Sequence, residues 1–269
     1  MTYAPAPAAN VAAICVTLLL CFGLPVALFI ILRVRARARI LPFFLGCVSF
    51  VLFAMVLEQA AHALVLGGPY GGAIAGSAWL SALYGGFMAA LFEETGRYIF
   101  MRLTMLKDRE PQNALMYGAG HGGVEAMLTA GAVYVNNLYY CLMLNAGQAE
   151  QALASADAAA RPALEQAFAA FSTTAPYIFL IAGVERVMAI TLHIALSVLI
   201  YTAIRRRRFR FALLAFALHM LVDSVTGIIA GYLPTLLVEL AVLVMLVPIA
   251  LYAAKLYRQA KSDPPVATP

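Results

Sequence analysis

Residues 176–204 read PYIFLIAGVERVMAITLHIALSVLIYTAI. Apolar side chains recur on every face, and the stretch exceeds the roughly 20 residues needed to cross a ~30 Å hydrocarbon core. Glu185, Arg186 and His193 nevertheless lie inside it. An ionisable group at that depth costs at least a few kcal/mol unless it faces a bundle interior and has a partner. The stretch is therefore expected to be a membrane-spanning helix packed against other helices that also carry polar groups.

The same pattern recurs on both sides, at about 10–32, 41–67, 74–106, 113–146, 211–231 and 233–257. With 64% apolar and 12% charged residues, the chain has about half the charged share of a soluble protein. The predicted fold class is all-α: a polytopic membrane helix bundle of about seven transmembrane helices, forming a single integral membrane domain over 1–269 in a multi-pass cell-membrane protein. The one sizeable loop, about 147–175, is Ala-rich, with Pro162 suited to a first helical turn and Leu164, Phe168 and Phe171 at i, i+4 and i+7. It is expected to form an external amphipathic helix lying at the membrane surface.

Basic residues fix the expected orientation. Arg33, Arg35, Arg37 and Arg39 follow the first span, Arg102, Lys107 and Arg109 the third, Arg205 to Arg208 and Arg210 the fifth, and Lys255, Arg258 and Lys261 the last. Those segments alternate, whereas Arg161 alone falls in a loop on the other side, so the positive-inside rule predicts N-out/C-in. The net charge of +5 is then a topology signal, and no nucleic-acid partner is expected. Met1 to Asn10 lacks a basic n-region, so the first span is expected to insert uncleaved. Cys15, Cys21, Cys47 and Cys141 have no metal-ligand spacing.

Seven of the thirteen carboxylates (Glu58, Glu93, Glu94, Glu125, Glu185, Asp223 and Glu239) and all four histidines (His62, His121, His193 and His219) lie in the spans. At ~1.5 Å per residue, Glu94 is roughly 12 Å from Arg102, His121 roughly 12 Å from Asn113, His193 roughly 18 Å from Arg205 and His219 roughly 14 Å from Arg210. Four helices thus carry polar groups to one level. Arg97 is three residues from Glu94 and four from Glu93, so it can neutralise one of two adjacent carboxylates that cannot both ionise cheaply in a dry site. His121 with Glu125 and His219 with Asp223 stand one turn apart, a spacing that can fix an imidazole's tautomer for metal ligation or acid–base work. Glu58 with His62 has the same spacing and reads first as a local clamp. Gly118, Gly120, Gly122 and Gly123 imply close approach of another helix and clear space around His121, and the Gly85–Gly86 pair can serve the same end.

These motifs resemble a family. Glu93-Glu94-Thr95-Gly96-Arg97-Tyr98 is similar to E-E-x-x-R-Y, Gly118 to Glu125 to G-x-G-H-G-G-x-E, and Glu185-Arg186 with His193 to the E-R-x(6)-H helix of YhfC-type intramembrane metalloproteases. His219-x-x-x-Asp223 resembles the closing motif of the wider type II CAAX prenyl protease and PrsW superfamily. The resemblance implies a hydrolase with its core helices at about 74–231. In it Glu93 or Glu94 activates water, Arg97 belongs to the Glu motif, His193 and His219 are metal ligands or oxyanion partners, and Asp223 orients His219 or adds a ligand. His121 and Glu125 match the family pattern without an assigned role. The cofactor implied is a divalent metal, zinc first, although a metal-free Glu/His mechanism fits the same residues. The expected partner is a membrane-protein or membrane-associated peptide substrate. A proton-coupled transporter would also use Glu, Asp and His chains, but no inverted repeat is evident; a non-catalytic scaffold is the third reading.

Overall fold

The computed structural model describes residues 3–104 and 110–262; Lys107, Arg109 and the tail after Ser262 lie outside the described residues. The described chain is helical throughout, with no strand. In order the helices are α1 (Ala8–Leu18), α2 (Leu24–Val34), α3 (Leu41–Phe50), α4 (Gln59–Leu66), α5 (Gly71–Ala75), α6 (Ala78–Thr104), α7 (Pro111–Ala126), α8 (Ala132–Asn145), α9 (Ala149–Ser155), α10 (Arg161–Thr173), α11 (Pro176–Arg205), α12 (Arg210–Ala230) and α13 (Thr235–Ser262). Three π-helical segments, Leu19–Gly23, Val51–Glu58 and Met127–Gly131, link α1 to α2, α3 to α4 and α7 to α8.

Among the described residues, five helical runs are long and apolar enough to cross a membrane: Ala8–Val34, Leu41–Leu66, Pro176–Arg205, Arg210–Ala230 and Thr235–Ser262. The protein is an all-α, multi-pass membrane protein. The other two expected spans are also helical, over Ala78–Thr104 and 111–145, but are less apolar. The first holds Glu93, Glu94 and Arg97 among several glycines, and the second holds the Gly-rich His121 stretch and the Asn136–Asn137 pair. The helices that bear most of the candidate site residues are thus the ones that read least like lipid-facing spans.

The chain divides into two compact units, Met1–Leu24 with Ala126–Val187, and Pro25–Glu125 with Met188–Pro269. In the first, α1 and α10 pack on α8 around Ile14, Tyr134, Cys141, Phe168, Phe171 and Phe179. Phe168 is fully buried, with Tyr3 and Tyr140 edge-on at 5.6 and 6.0 Å. The apolar stripe of α10 therefore packs on the unit's own core. Its last carbonyls, left without helical partners, are capped by Asn10, whose Nδ2 donates to Phe171 O at 2.8 Å and Thr174 O at 2.9 Å.

In the second unit the dominant pairing is α6 on α12. At their crossing, a Cβ on Gly86 would lie 2.7 Å from the Ser224 backbone nitrogen, so only glycine permits this approach; Gly85, its neighbour, faces open space. Helix α7 is clasped twice in the same way. A Cβ on Gly118 would meet Ile194 Cα at 2.5 Å, and one on Gly120 would meet Phe43 O at 2.0 Å. Backbone-to-backbone contact of this kind is how helices associate where lipid removes the hydrophobic driving force. It draws α3, α7 and α11 together and fixes the register of His121 against His193.

Candidate metal and acid–base site

Successive residues on a helix point about 100° apart, and α6 uses this to send its two carboxylates to different neighbours. Glu93 faces α7, its Oε2 lying 2.8 Å from His121 Nε2 and 3.8 Å from His193 Nδ1. Glu94 faces α12, its Oε1 lying 2.9 Å from His219 Nδ1. Arg97, one turn on and fully buried, donates from Nη1 to that same Glu94 oxygen at 2.5 Å and from Nη2 to His193 Nδ1 at 2.8 Å. A guanidinium has no acceptor to offer, so His193 Nδ1 must be the accepting nitrogen and Nε2 carries the proton. That Nε2 lies 2.5 Å from Glu125 Oε2.

The three imidazoles stand in succession, with His193 next to both of the others. Ring centroids of His121 and His193 are 4.9 Å apart, and those of His193 and His219 are 5.4 Å apart. His121, His193 and His219 are each at most 3% exposed. Phe50 sits edge-on to His121 at 5.4 Å and Tyr117 stacks on it at 6.4 Å. Asp223, one turn from His219, places Oδ2 3.4 Å from its Nε2. Every residue proposed from the motifs on α6, α7 and α12, together with His193, thus stands in one connected cluster within the second unit.

One pairing differs from the sequence expectation, and one choice left open there is resolved. Glu125 approaches His193 across the helix interface instead of His121 on its own helix, because His121 is turned toward Glu93. Of the two glutamates that Arg97 could reach on α6, it takes Glu94. Glu185 and Arg186 pair with each other in the first unit. The sequence reading missed Gly46, whose Cβ would lie 2.2 Å from Tyr117 O and 2.8 Å from His121 N, and Tyr84, bonded to His62. Gly46, buried on α3 beside the small, buried Ser49, is a small residue in a spanning helix, the signal that could have exposed the first.

A model of the YhfC intramembrane metalloprotease family matches residues 18–247. The chain belongs to that family. It is also 35% identical over 204 residues, covering 74% of this chain and 77% of the relative, to the uncharacterized membrane protein YhfC of Bacillus subtilis strain 168. No solved structure matches.

The YhfC family's description implies a metal, and the donors present fit one. Glu93, His121 and His193 each offer a ligand atom, all within 4.8 Å of one another and all buried. One carboxylate and two imidazoles from three different helices is a donor set of catalytic zinc sites, which keep a further position open. The second His121 nitrogen, Nδ1, is buried without a hydrogen-bond partner among the described residues, so nothing competes with a ligand role for that ring. His219 lies outside this trio; both of its nitrogens face carboxylates.

Proposed function

We propose that this protein is an intramembrane peptidase that hydrolyses a peptide bond in or near a membrane segment. The observation that supports it most is the juxtaposition of two differently equipped carboxylates. Glu93 belongs to the three-ligand group, whereas Glu94 is held at one oxygen by Arg97 and His219 while its other oxygen, Oε2, is buried without a partner among the described residues. In our reading Glu93, His121 and, once Arg97 Nη2 gives up its hydrogen bond to Nδ1, His193 hold a divalent metal, zinc first, which supplies Lewis acidity to the scissile carbonyl when bound.

The chain's own residues do the rest. Glu94 Oε2 takes a proton from water as the water oxygen bonds to the carbonyl carbon, then gives that proton to the leaving nitrogen as the C–N bond breaks. Arg97 and His219 fix the Glu94 carboxylate so that this lone pair stays aimed into the site, and Asp223 orients His219 from its far nitrogen. Glu125 orients His193 in the same way. The substrate is a membrane protein or membrane-associated peptide, since a site on spanning helices is reached from within the bilayer.

The test pairs metal content with cleavage of a membrane-segment substrate in purified Glu93→Gln and Glu94→Gln proteins. We expect Glu94→Gln to retain metal and lose cleavage, and Glu93→Gln to lose both. Cleavage surviving in both variants would overturn the peptidase reading. Active wild type with far less than one metal per chain would instead favour the metal-free Glu/His mechanism.

A further inference from the structure

Within the second unit, α11 and α13 are tied together at their basic ends. Arg205 donates to Ala260 O, and Arg206 Nη2 donates to Gln259 Oε1 at 3.1 Å. Farther along, the same two helices and α7 leave a cavity of about 280 Å³ between them. Alanine makes the room: Ala195 on α11 and Ala250, Ala253 and Ala254 on α13 line it, and the rest of the wall is aliphatic apart from Thr191 and Tyr257. One turn of helix with its side chains, roughly 10–12 Å across and 5.4 Å high, needs about 400–600 Å³. A partner helix therefore does not fit inside, whereas a single hydrocarbon chain does. From Tyr257 to Ala250 the α13 wall runs about 10 Å away from the basic end, as a lipid tail runs inward from its headgroup.

The mouth of the cavity at that end carries positive charge. Arg258 and Lys261 stand one turn beyond Ala254 and Tyr257 on the same face of α13, and both are exposed. Tyr257 has the amphipathic ring that suits headgroup level. Glu110, just before α7, is the one carboxylate at that end among the described residues, and the cations outnumber it. We infer that the cavity binds one acyl chain of an anionic phospholipid, whose phosphate rests against Arg258 and Lys261. Near a membrane surface each such cation favours an anionic lipid by about fivefold. The chain supplies the dispersion contacts that an empty cavity denies its lining. Ile194 on the cavity wall also meets α7 at Gly118, so the bound lipid braces α11 one residue from His193. The site requires neither the metal nor peptide hydrolysis.

The experiment reconstitutes the full chain in phosphatidylcholine vesicles with a trace of photoactivatable lipid. That lipid is either phosphatidylglycerol or phosphatidylcholine, each with the same mid-chain diazirine, and adducts are mapped to peptides by mass spectrometry. In wild type, phosphatidylglycerol should label 191–198 and 250–257 at least about fivefold more than phosphatidylcholine does. Ala254→Leu, which fills the cavity, should remove most of that labelling while adducts on α1 stay at the wild-type level. Arg258→Gln and Lys261→Gln, at exposed positions where folding is not at stake, should each reduce the preference for phosphatidylglycerol and together remove it. Equal labelling by the two lipids in wild type would mean annular lipid only and would overturn the site. So would unchanged labelling in folded Ala254→Leu, or an unchanged preference in the doubly substituted Arg258→Gln, Lys261→Gln protein.

Discussion

The two units bury polar groups in opposite ways. In the first, side-chain donors end on backbone oxygens: Asn10 on Phe171 and Thr174, and Thr17 and Tyr134 on Phe179. In the second, ionisable side chains end on one another across helices, Glu93 on His121, Glu94 on His219 and His193 on Arg97, with Arg97 also holding Glu94 on their own helix. Both arrangements satisfy the requirement that buried polar atoms be bonded, but they cost differently. Capping a carbonyl with an amide uses groups that are neutral at any pH. Gathering charges in a bilayer costs several kcal/mol per ion before pairing repays it, and a chain has little reason to bear that cost for adhesion alone. The difference teaches that a polar residue in a spanning helix marks chemistry when its partner is itself ionisable and the chain of partners crosses from helix to helix.

That contrast can be broken by substitution. The largest expected effect is that Glu94→Gln lowers cleavage by about 10²–10⁴-fold, the usual contribution of a general base, with the protein still folded and metal-loaded. Next is Gly120→Val, whose Cβ would fall 2.0 Å from Phe43 O; overpacking against backbone should destabilise by about 3 kcal/mol in detergent unfolding and disturb metal binding with it. In the first unit Asn10→Ala strands two carbonyl oxygens and should cost about 2 kcal/mol, while metal content and the Glu94-dependent rate per folded molecule stay at wild-type values. The smallest effect belongs to Gly147, where φ is +70° and nothing crowds the Cβ position. Gly147→Ala should cost about 1 kcal/mol, the strain of a left-handed backbone, with function untouched. If Asn10→Ala removed metal as Gly120→Val is expected to, the division between adhesive and chemical polar groups would fail.

Much of this was legible in the sequence because it depends on length and composition. Residues 176–204 announced a spanning helix, and α11 occupies Pro176–Arg205. The expected common level of His121, His193 and His219 follows from counting residues, and His193 does lie in ring contact with both of the others. Pairing was less legible, because i,i+4 spacing shows which groups can meet on one helix and not which will meet between helices. That is why Glu125 was first matched with His121, whereas the approach of α7 and α11 at Gly118 sets it against His193. The π segments also escaped notice. A wide turn rotates the residues beyond it, as in Val51–Glu58, and no residue type demands one. The inward turn of Phe168 and Phe171 was hidden for a simpler reason: the same amphipathic stripe suits a membrane surface or a protein core.

The central claim is that Glu93, His121 and His193 hold the metal while His219 serves Glu94. The direct measurement is metal per chain in purified wild type, His121→Ala and His219→Ala, each checked for folding. The account predicts about one metal in wild type, most of it lost in His121→Ala and most of it kept in His219→Ala. Metal retained by His121→Ala and lost from His219→Ala would contradict it.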